Sequence, residues 1–168
     1  MGKTTVIRTA AQALSKYRPG GFYTEEIRVR GERRGFALVT FDGRRERIAE
    51  VDRAGWPRVG KYGVDVDVIE KLARTALTID GKTAIYLVDE IGKMECLSPT
   101  FVTGMRALLA SGVPVVATVG QRGGGFMDEM RRRRDVELWK IDRTNRDDLP
   151  TRVVKWTKAH LGSRAPSR

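Results

Sequence analysis

The stretch AIYLVDEIGKME, residues 84–95, decides how this chain is expected to fold. Residues 84–88 form a continuous apolar run, which is typical of a strand buried on both faces of a sheet. Asp89 and Glu90 follow directly, so both carboxylates leave the sheet at the carboxyl end of its strands, where ligands collect in open α/β sheets. A solvated turn after a core strand is the alternative interpretation of these two residues.

Strand and helix signals alternate on both sides of this stretch. Strands are predicted at 83–88, 113–119 and 136–141, an antiparallel meander at 21–30, 34–41 and 44–51, and a loop at 54–64. Helices are predicted at 4–17, 66–77, from 98 onward, at 126–133 and at 149–161. We therefore predict an α/β fold: a three-layer sandwich with a largely parallel sheet plus an antiparallel hairpin region. One domain should span residues 1–161, followed by a disordered tail at 162–168.

The opening residues, Gly2 to Thr5, look like the back half of a phosphate-binding loop. The full pattern is a strand, then G-x-x-x-x-G-K-[ST], then a helix, with backbone amides around the phosphates. Taken alone, the short form also fits an exposed start to an amphipathic helix. With Asp89 and Glu90 downstream it becomes one half of a mechanism, in which the first carboxylate steadies Mg²⁺ and the second deprotonates the attacking water.

Composition restricts the function further. The chain has 168 residues and a formal charge of +11, which favours polyanionic partners such as nucleotides, RNA or DNA. The single Cys96 and single His160 argue against a zinc cluster or an internal disulfide, so we expect a cytoplasmic protein. The longest apolar runs are too short to span a bilayer, so no membrane partner is expected. The oligomeric state stays open.

Five blocks of the sequence resemble a known family. They are GFYTEEIR (21–28), GFALVTFDG (35–43), VGKYGVDVDVIEKLA (59–73), LVDEIGKME (87–95) and VELWKIDRTNRDDLP (136–150). They are similar to the signature blocks of the small P-loop nucleoside-triphosphatases first recognised in thermophiles, also called the cancer-related nucleoside-triphosphatase family. The resemblance implies a P-loop NTPase fold and slow, Mg²⁺-dependent hydrolysis of ATP, and also of GTP, CTP, UTP and TTP, to the nucleoside diphosphate and phosphate.

The resemblance also implies roles for individual residues. Lys3 would contact the outer phosphates, and Glu90 would be the general base. Thr4 would ligate Mg²⁺, and Asp89 would hold it through water. The predicted catalytic residues are thus Lys3 and Glu90, the Mg²⁺ residues Thr4 and Asp89, and the nucleotide-binding residues Gly2, Lys3, Thr4, Thr5, Asp89, Glu90, Gly92, Lys93, Arg122 and Asn145.

Three of these positions have two interpretations each. Lys93 either offers positive charge to the transferring phosphoryl group or is an ordinary surface lysine. Arg122, beside three consecutive glycines, either approaches the γ-phosphate as an arginine supplied in cis or lies in a mobile surface loop. Asn145 and Arg146 follow the last predicted strand and are candidates for base or ribose contact, although broad base tolerance would favour stacking or backbone contacts.

Two other functional classes share these features. The run MRRRRD, residues 130–135, suggests a nucleic-acid-binding ATPase module, but its acidic neighbours favour a charged helix face. A nucleotide or small-molecule kinase would use the same phosphate chemistry. Hydrolysis without an added acceptor distinguishes the phosphatase from the kinase.

The opening departs from the family pattern. The family begins with an apolar strand followed by G-x-P-G-V-G-K-T-T, and this chain starts at the position of the valine. A prokaryotic gene can start at a GUG codon, which is then read as Met, so we expect the coding sequence to begin further upstream and to include one more central strand. Without that strand, weak ATP binding and slow turnover are expected. A naturally shortened member, with another segment filling the gap, is the alternative.

Overall fold

The computed structural model describes residues 2–161, which are arranged as helices around one mixed sheet. The helices are α1 (Lys3–Ala13), α2 (Val66–Ala76), α3 (Pro99–Ala110), α4 (Phe126–Arg132) and α5 (Leu149–Leu161). The strands are β1 (Gly20–Val29), β2 (Glu32–Thr40), β3 (Arg45–Val51), β4 (Arg58–Val59), β5 (Tyr62–Val64), β6 (Tyr86–Ile91) and β7 (Val115–Val119), with short 3-10 turns at Ser15–Tyr17 and Glu95–Leu97. The predicted tail at 162–168 lies outside the described residues. Among the helices of residues 2–161, none has the length and apolar character needed to cross a bilayer.

The strand order in the sheet is β4-β5-β3-β2-β1-β6-β7. β6 lies between β1 and β7 and is parallel to both. On the other side, β1, β2, β3 and β5 pair as an antiparallel meander, which confirms the predicted hairpin region. β1 joins the two parts, because its first residues pair with β6 and most of its length pairs with β2. The parallel part is smaller than the sequence predicted, and the sheet of the described residues is mixed.

Helices cover both faces of the sheet, as the three-layer prediction requires. Successive side chains of a strand point to opposite faces, and β6 shows the result. Tyr86 and Val88 pack in the core beneath α2, α3 and α4, whereas Leu87 packs with α1 and α5 on the other face. Burial of such side chains contributes about 1.5–3 kcal/mol each, so the continuous apolar run of the sequence places β6 inside the molecule.

Two helices start where the sequence predicted. The Asp65 carboxylate accepts a hydrogen bond from the amide of Val68 at 3.2 Å, and α2 begins at Val66, the residue after Asp65. The Ser98 hydroxyl oxygen accepts one from the amide of Phe101 at 3.0 Å, and Pro99 occupies the first turn of α3. Each cap satisfies an amide that the helix itself leaves unpaired.

Two predictions about strands are wrong. Residues 54–64, predicted as a loop, contain β4 and β5, because Tyr62 and Val64 are buried and pair with β3. Residues 136–141, predicted as a strand, have no regular secondary structure. Leu138 of that segment is 56% exposed, and within residues 2–161 no strand lies beside the segment to pair its backbone groups.

A groove of about 1230 Å³ lies between β7 and residues 136–141. Apolar side chains contribute much of its lining, among them Val6, Val116 and Ile141. β7 is an edge strand of the described sheet. Lys3 and Glu90 also line the groove, at the carboxyl end of β6. That a further strand precedes Gly2 stays a prediction.

Candidate active site

The start of α1 meets the carboxyl end of β6. Ile7 of α1 is buried in the same cluster as Leu87 of β6, so packing of the helix on the sheet brings its first residues to Asp89 and Glu90. Nζ of Lys3 lies 2.8 Å from Oε2 of Glu90. The two residues are 87 positions apart in the chain, so the fold brings together the two motifs that the sequence predicted to cooperate.

Asp89 is held by threonines from three elements. It is 2% exposed, and its carboxylate accepts hydrogen bonds from the Thr4 hydroxyl at 2.6 Å, the Thr24 amide at 3.2 Å and the Thr118 hydroxyl at 2.7 Å. Burial raises the pKa of Asp89 above its ordinary value, these hydrogen bonds oppose the rise, and the nearby charge of Glu90 adds to it. The carboxylate is therefore oriented by the protein itself.

Sequence reasoning missed Thr24 and Thr118. β1 and β7 flank β6, and Val88 pairs with Phe22 on one side and with Ala117 on the other. Residues just beyond these pairs therefore flank Asp89. Thr118 is the only polar residue of β7, which was an available signal. Thr24 begins the polar half of β1 and gave no comparable signal.

Gly2 and Thr5 lie at the amino end of α1. Gly2 has a φ of 93°, in the left-handed region that favours glycine, and its carbonyl accepts the bond from the Val6 amide that starts the helix. Free amides at such a helix end attract anions. The side chain of Thr5 is exposed. Phosphate contacts by the amides of Gly2 and Thr5 stay predictions.

Glu95 is a buried carboxyl group beside this site that sequence reasoning did not assign. It begins the 3-10 turn after β6 and is 4% exposed. Burial raises the pKa of Glu95 to about 8, and the charges of Glu90 and Asp89 contribute to the rise. A Cβ on Gly92 would lie 2.8 Å from Oε1 of Glu90 and 2.8 Å from Oε2 of Glu95. The space that glycine leaves at position 92 is therefore needed by these two carboxyl groups.

Thr4 and Asp89 are the residues that fit a hard divalent cation. Mg²⁺ prefers oxygen ligands, and at a nucleotide one or two protein groups hold it together with waters and phosphate oxygens. The Thr4 hydroxyl and the Asp89 carboxylate are adjoining oxygen donors. In the described part of the chain, residues 2–161, no group of three or more His, Cys, Asp or Glu residues is arranged to hold a metal.

Comparisons with known proteins agree with this geometry. The sequence profile of the NTPase family matches residues 1–154. The chain belongs to the NTPase family. Nucleoside-triphosphatase THEP1 of Thermotoga sp. (strain RQ2) is 33% identical over 165 residues, which cover 98% of this chain and 94% of the relative. The cancer-related nucleoside-triphosphatase homolog of Mus musculus is 36% identical over 170 residues, covering 92% and 90%.

A solved structure of the NTPase family shares the fold. The crystal structure of THEP1 from the hyperthermophile Aquifex aeolicus superposes with a TM-score of 0.85 at 31% identity, over 94% of each chain. The predicted family and the predicted P-loop type of α/β fold are confirmed.

Lys93 and Arg122 lie in the groove that contains Lys3 and Glu90 in this member of the NTPase family. Both side chains belong to exposed residues. A Cβ on Gly123 would lie 3.8 Å from Cε of Lys93, so Lys93 is next to the glycine-rich loop at 120–125. The fold thus brings both predicted cations to the groove, and their roles in catalysis stay predictions.

Arg131 anchors the glycine-rich loop, which sequence reasoning did not foresee. Its guanidinium donates hydrogen bonds to the carbonyl of Gly120, at 2.7 Å, and to the carbonyl of Gly123. Arg132 pairs with Asp128 at 3.3 Å, and Arg133 with Asp135 at 2.6 Å. Arg131 and Arg132 belong to α4, whereas Arg133 and Arg134 follow it. The interpretation of MRRRRD as a charged helix face therefore stays a prediction.

Asn145 has its side chain engaged within its own loop. Its Oδ1 accepts a hydrogen bond from the amide of Asp142 at 2.9 Å, and its Nδ2 donates one to the carbonyl of Lys140 at 2.8 Å. Arg146 is the residue of this loop beside the phosphate motif, because a Cβ on Gly2 would lie 3.8 Å from the Arg146 side chain. Contact of Asn145 with a base stays a prediction, and its polar side-chain atoms already have partners.

Proposed function

We propose that this protein is a Mg²⁺-dependent nucleoside-triphosphate phosphohydrolase, which converts NTP and water to NDP and phosphate. The observation that carries the proposal is the pairing of Lys3 with Glu90, and of Thr4 with Asp89, at one edge of the sheet. Phosphoryl transfer to water uses such a set: a lysine, a hydroxyl group and two carboxylates. Relatives that are named nucleoside-triphosphatases support the proposal.

Glu90 takes the proton of the attacking water in this reaction. The water oxygen bonds to the γ-phosphorus, the bond from phosphorus to the bridging oxygen breaks, and NDP leaves with its electron pair. In the substrate-free chain, Lys3 neutralises Glu90. A triphosphate competes for Lys3 because its oxygens carry more negative charge than one carboxylate, and the departure of Lys3 leaves Oε2 of Glu90 available as a base.

Thr4 and Asp89 would hold Mg²⁺ in the proposed complex, Asp89 through water. When bound, Mg²⁺ would supply positive charge to the triphosphate. Both Asp89 oxygens accept hydrogen bonds from threonines, so the carboxylate is oriented before substrate binds. Such preorganised groups need not rearrange during the reaction, which is the property that lowers the barrier.

Arg122 is the candidate for the cation that stabilises the transition state, and Lys93 is the second candidate. Arg122 belongs to the glycine-rich loop, so closure of that loop moves its guanidinium over the groove that contains Glu90. Lys93 lies two residues after the end of β6 and lines the same groove. Separate Arg122→Ala and Lys93→Ala variants would identify the residue whose loss lowers kcat.

Broad tolerance of the base is part of the proposal. The polar side-chain atoms of Asn145 are bonded to Asp142 and Lys140, which leaves them poorly placed to distinguish one base from another. We expect ATP, GTP, CTP, UTP and TTP to be hydrolysed with similar kcat/KM. A preference of 10⁴-fold or more, the order expected of a site built to hydrogen-bond one base, would contradict this part.

The test is phosphate release from ATP with Mg²⁺ by the whole chain and three variants. Glu90→Gln should keep nucleotide affinity and lose turnover by about 10²- to 10⁴-fold, the usual cost of removing a general base. Lys3→Ala should weaken both affinity and turnover. Glu46→Gln makes the same chemical change at an exposed position outside the site and should match the wild type. Wild-type turnover by Glu90→Gln would remove Glu90 from the mechanism.

The same assay separates the rival functions. A kinase would release no free phosphate and would form NDP and a phosphorylated product only when an acceptor is added. Stimulation by RNA or DNA that disappears when Arg131 to Arg134 are neutralised would indicate a nucleic-acid-dependent ATPase.

A further inference from the structure

The turn after β6 contains a carboxyl group that the proposed mechanism does not use. Glu95 is buried at the start of the 3-10 turn and is 4% exposed. Within residues 2–161 it forms no ion pair with a lysine or an arginine, and its carboxyl group meets the backbone amides of Gly92 and Glu95. A buried carboxyl group without a cation is costly to keep charged, and Glu95 lies in the turn that follows Asp89 and Glu90.

Gly92 brings Glu95 next to the proposed base. Oε1 of Glu90 and Oε2 of Glu95 each lie 2.8 Å from the point that a Cβ on Gly92 would occupy. The other oxygen of Glu90, Oε2, is the one that contacts Lys3. The two oxygens of Glu90 therefore have different neighbours: Oε2 contacts Lys3, and Oε1 shares the space beside Gly92 with Oε2 of Glu95.

The two carboxyl groups have different surroundings. Neighbouring carboxylates repel each other, so one of such a pair keeps its proton more easily than the other. Glu90 is partly exposed, and its Oε2 is paired with the ammonium group of Lys3. Glu95 is buried, and burial raises its pKa to about 8. A protonated carboxyl group can donate one hydrogen bond, whereas a carboxylate can only accept.

We propose that Glu95 is a positioning residue for the general base: its neutral carboxyl group donates a hydrogen bond, directly or through one water, to Oε1 of Glu90. This contact keeps Oε2 of Glu90 turned toward the phosphate site after Lys3 has moved to the substrate. The inference rests on the proposed role of Glu90 in hydrolysis. Glu95 itself exchanges no proton with the substrate or with the attacking water.

Two substitutions that keep the length of the side chain test this role. Glu95→Gln keeps an uncharged group that donates a hydrogen bond, and its kcat should stay within about threefold of the wild type. Glu95→Met fills a similar volume but donates no hydrogen bond, and its kcat should fall by about 10- to 100-fold. KM should change little in either variant, because the phosphates are bound by α1 and not by Glu95. Melting curves show whether both variants are folded at the assay temperature.

Gly92→Ala is an independent variant, because its methyl group would stand between the two carboxyl groups. Gly92→Ala should lower kcat with little effect on KM. If Glu95→Met does not fold, Gly92→Ala tests the positioning role of Glu95 in its place. Wild-type kcat in Glu95→Met or Gly92→Ala, or an equal loss in Glu95→Gln and Glu95→Met, would overturn the inference. Glu90→Gln is measured in parallel: if that variant hydrolyses ATP normally, the proposed base is wrong, which is a different failure from that of Glu95.

Discussion

Asp89 and Glu95 show at the scale of single residues how surroundings decide the state of a buried acid. Burial raises the pKa of both groups. At Asp89, hydrogen bonds from Thr4, Thr24 and Thr118 oppose that effect, because they stabilise the charged carboxylate. Among the described residues 2–161, two backbone amides, those of Gly92 and Glu95, do so for Glu95, and its pKa is raised to about 8. The folded chain therefore favours the neutral form of Glu95.

The stability of the protein should depend on pH through Glu95. Its pKa is 4.5 as an ordinary side chain and about 8 in the folded chain, so the folded state binds more protons between these values. This contribution to the free energy of unfolding is fully present below about pH 4.5 and is lost as pH rises through about 8. The glutamine of Glu95→Gln does not titrate. Relative to the wild type, the free energy of unfolding of this variant should therefore increase by about a few kcal/mol between pH 4.5 and pH 9. Denaturant titrations of both proteins at several pH values would measure this, and a pH-independent difference would contradict it.

At the scale of elements, α4 has more than a packing role. Arg131 is 20% exposed in its side chain and holds the glycine-rich loop through the carbonyls of Gly120 and Gly123. Arg132, its neighbour on the same helix, is 79% exposed and contacts Asp128. The run of four arginines looks uniform in the sequence, but Arg131 differs from Arg132 because it is hydrogen-bonded to the glycine-rich loop.

Arg131→Ala should release the loop that carries Arg122. Because a loosened loop alters both substrate binding and the catalytic constellation, we expect kcat/KM to fall on the order of tenfold. Arg132→Ala removes the same charge from the same helix without touching the loop and should leave kcat/KM unchanged. Equal effects of the two substitutions in the phosphate-release assay would show that the loop contacts of Arg131 have no catalytic consequence.

α5 contains a polar group that burial leaves without a partner. Of the buried side-chain nitrogen and oxygen atoms in residues 2–161, only the hydroxyl oxygen of Thr157 lacks a hydrogen bond. Thr157→Val replaces that hydroxyl by a methyl group of similar shape and should raise the free energy of unfolding by about 1 kcal/mol. Thr151→Val, at an exposed position of α5, is the matched control and should bring no gain. Denaturant unfolding of both variants measures the difference, and an equal or lower stability of Thr157→Val would contradict the expectation.

At the scale of the whole molecule, a groove lies between β7 and residues 136–141, two segments that the sequence predicted to be strands. Val116 of β7 and Ile141 line the groove, and a Cβ on Gly2 would lie 3.5 Å from Ile141. We expect the strand that the family pattern predicts before Gly2 to pair with the free edge of β7 in this groove. It would end at the carboxyl edge of the sheet, as β6 does, and would supply backbone amides ahead of Lys3.

A form of the protein that carries an additional apolar strand before residue 1 would test this arrangement. We expect it to melt at a higher temperature, because a paired apolar strand adds about 1.5–3 kcal/mol for each buried side chain. We also expect faster ATP hydrolysis, since fixed amides stabilise the transition state better than mobile ones. Equal melting temperature and equal turnover of the two forms would show that the groove takes no such strand.

The sequence by itself determined the features that depend on neighbours along the chain. The apolar run before Asp89 predicted the central strand β6, and Asp65 and Ser98 predicted the starts of α2 and α3, because periodicity and capping act over a few residues. The resemblance of the motif blocks to the NTPase family identified Lys3 and Glu90 as a pair before any distance was known. The strand and the two helix starts are confirmed, because each depends on a local pattern. The roles of Lys3 and Glu90 stay predictions.

Only the tertiary structure decided the features that depend on contacts between distant segments. Strand order places Thr24 and Thr118 on either side of Asp89, and the turn at Gly92 places Glu95 against Glu90. The same cause explains the wrong prediction for 136–141: its residues have the character of a strand, but a strand forms only where another backbone is present to pair with it. A pattern along the chain indicates which secondary structure a segment can form. Whether that structure forms depends on the segments that pack against it in the folded protein.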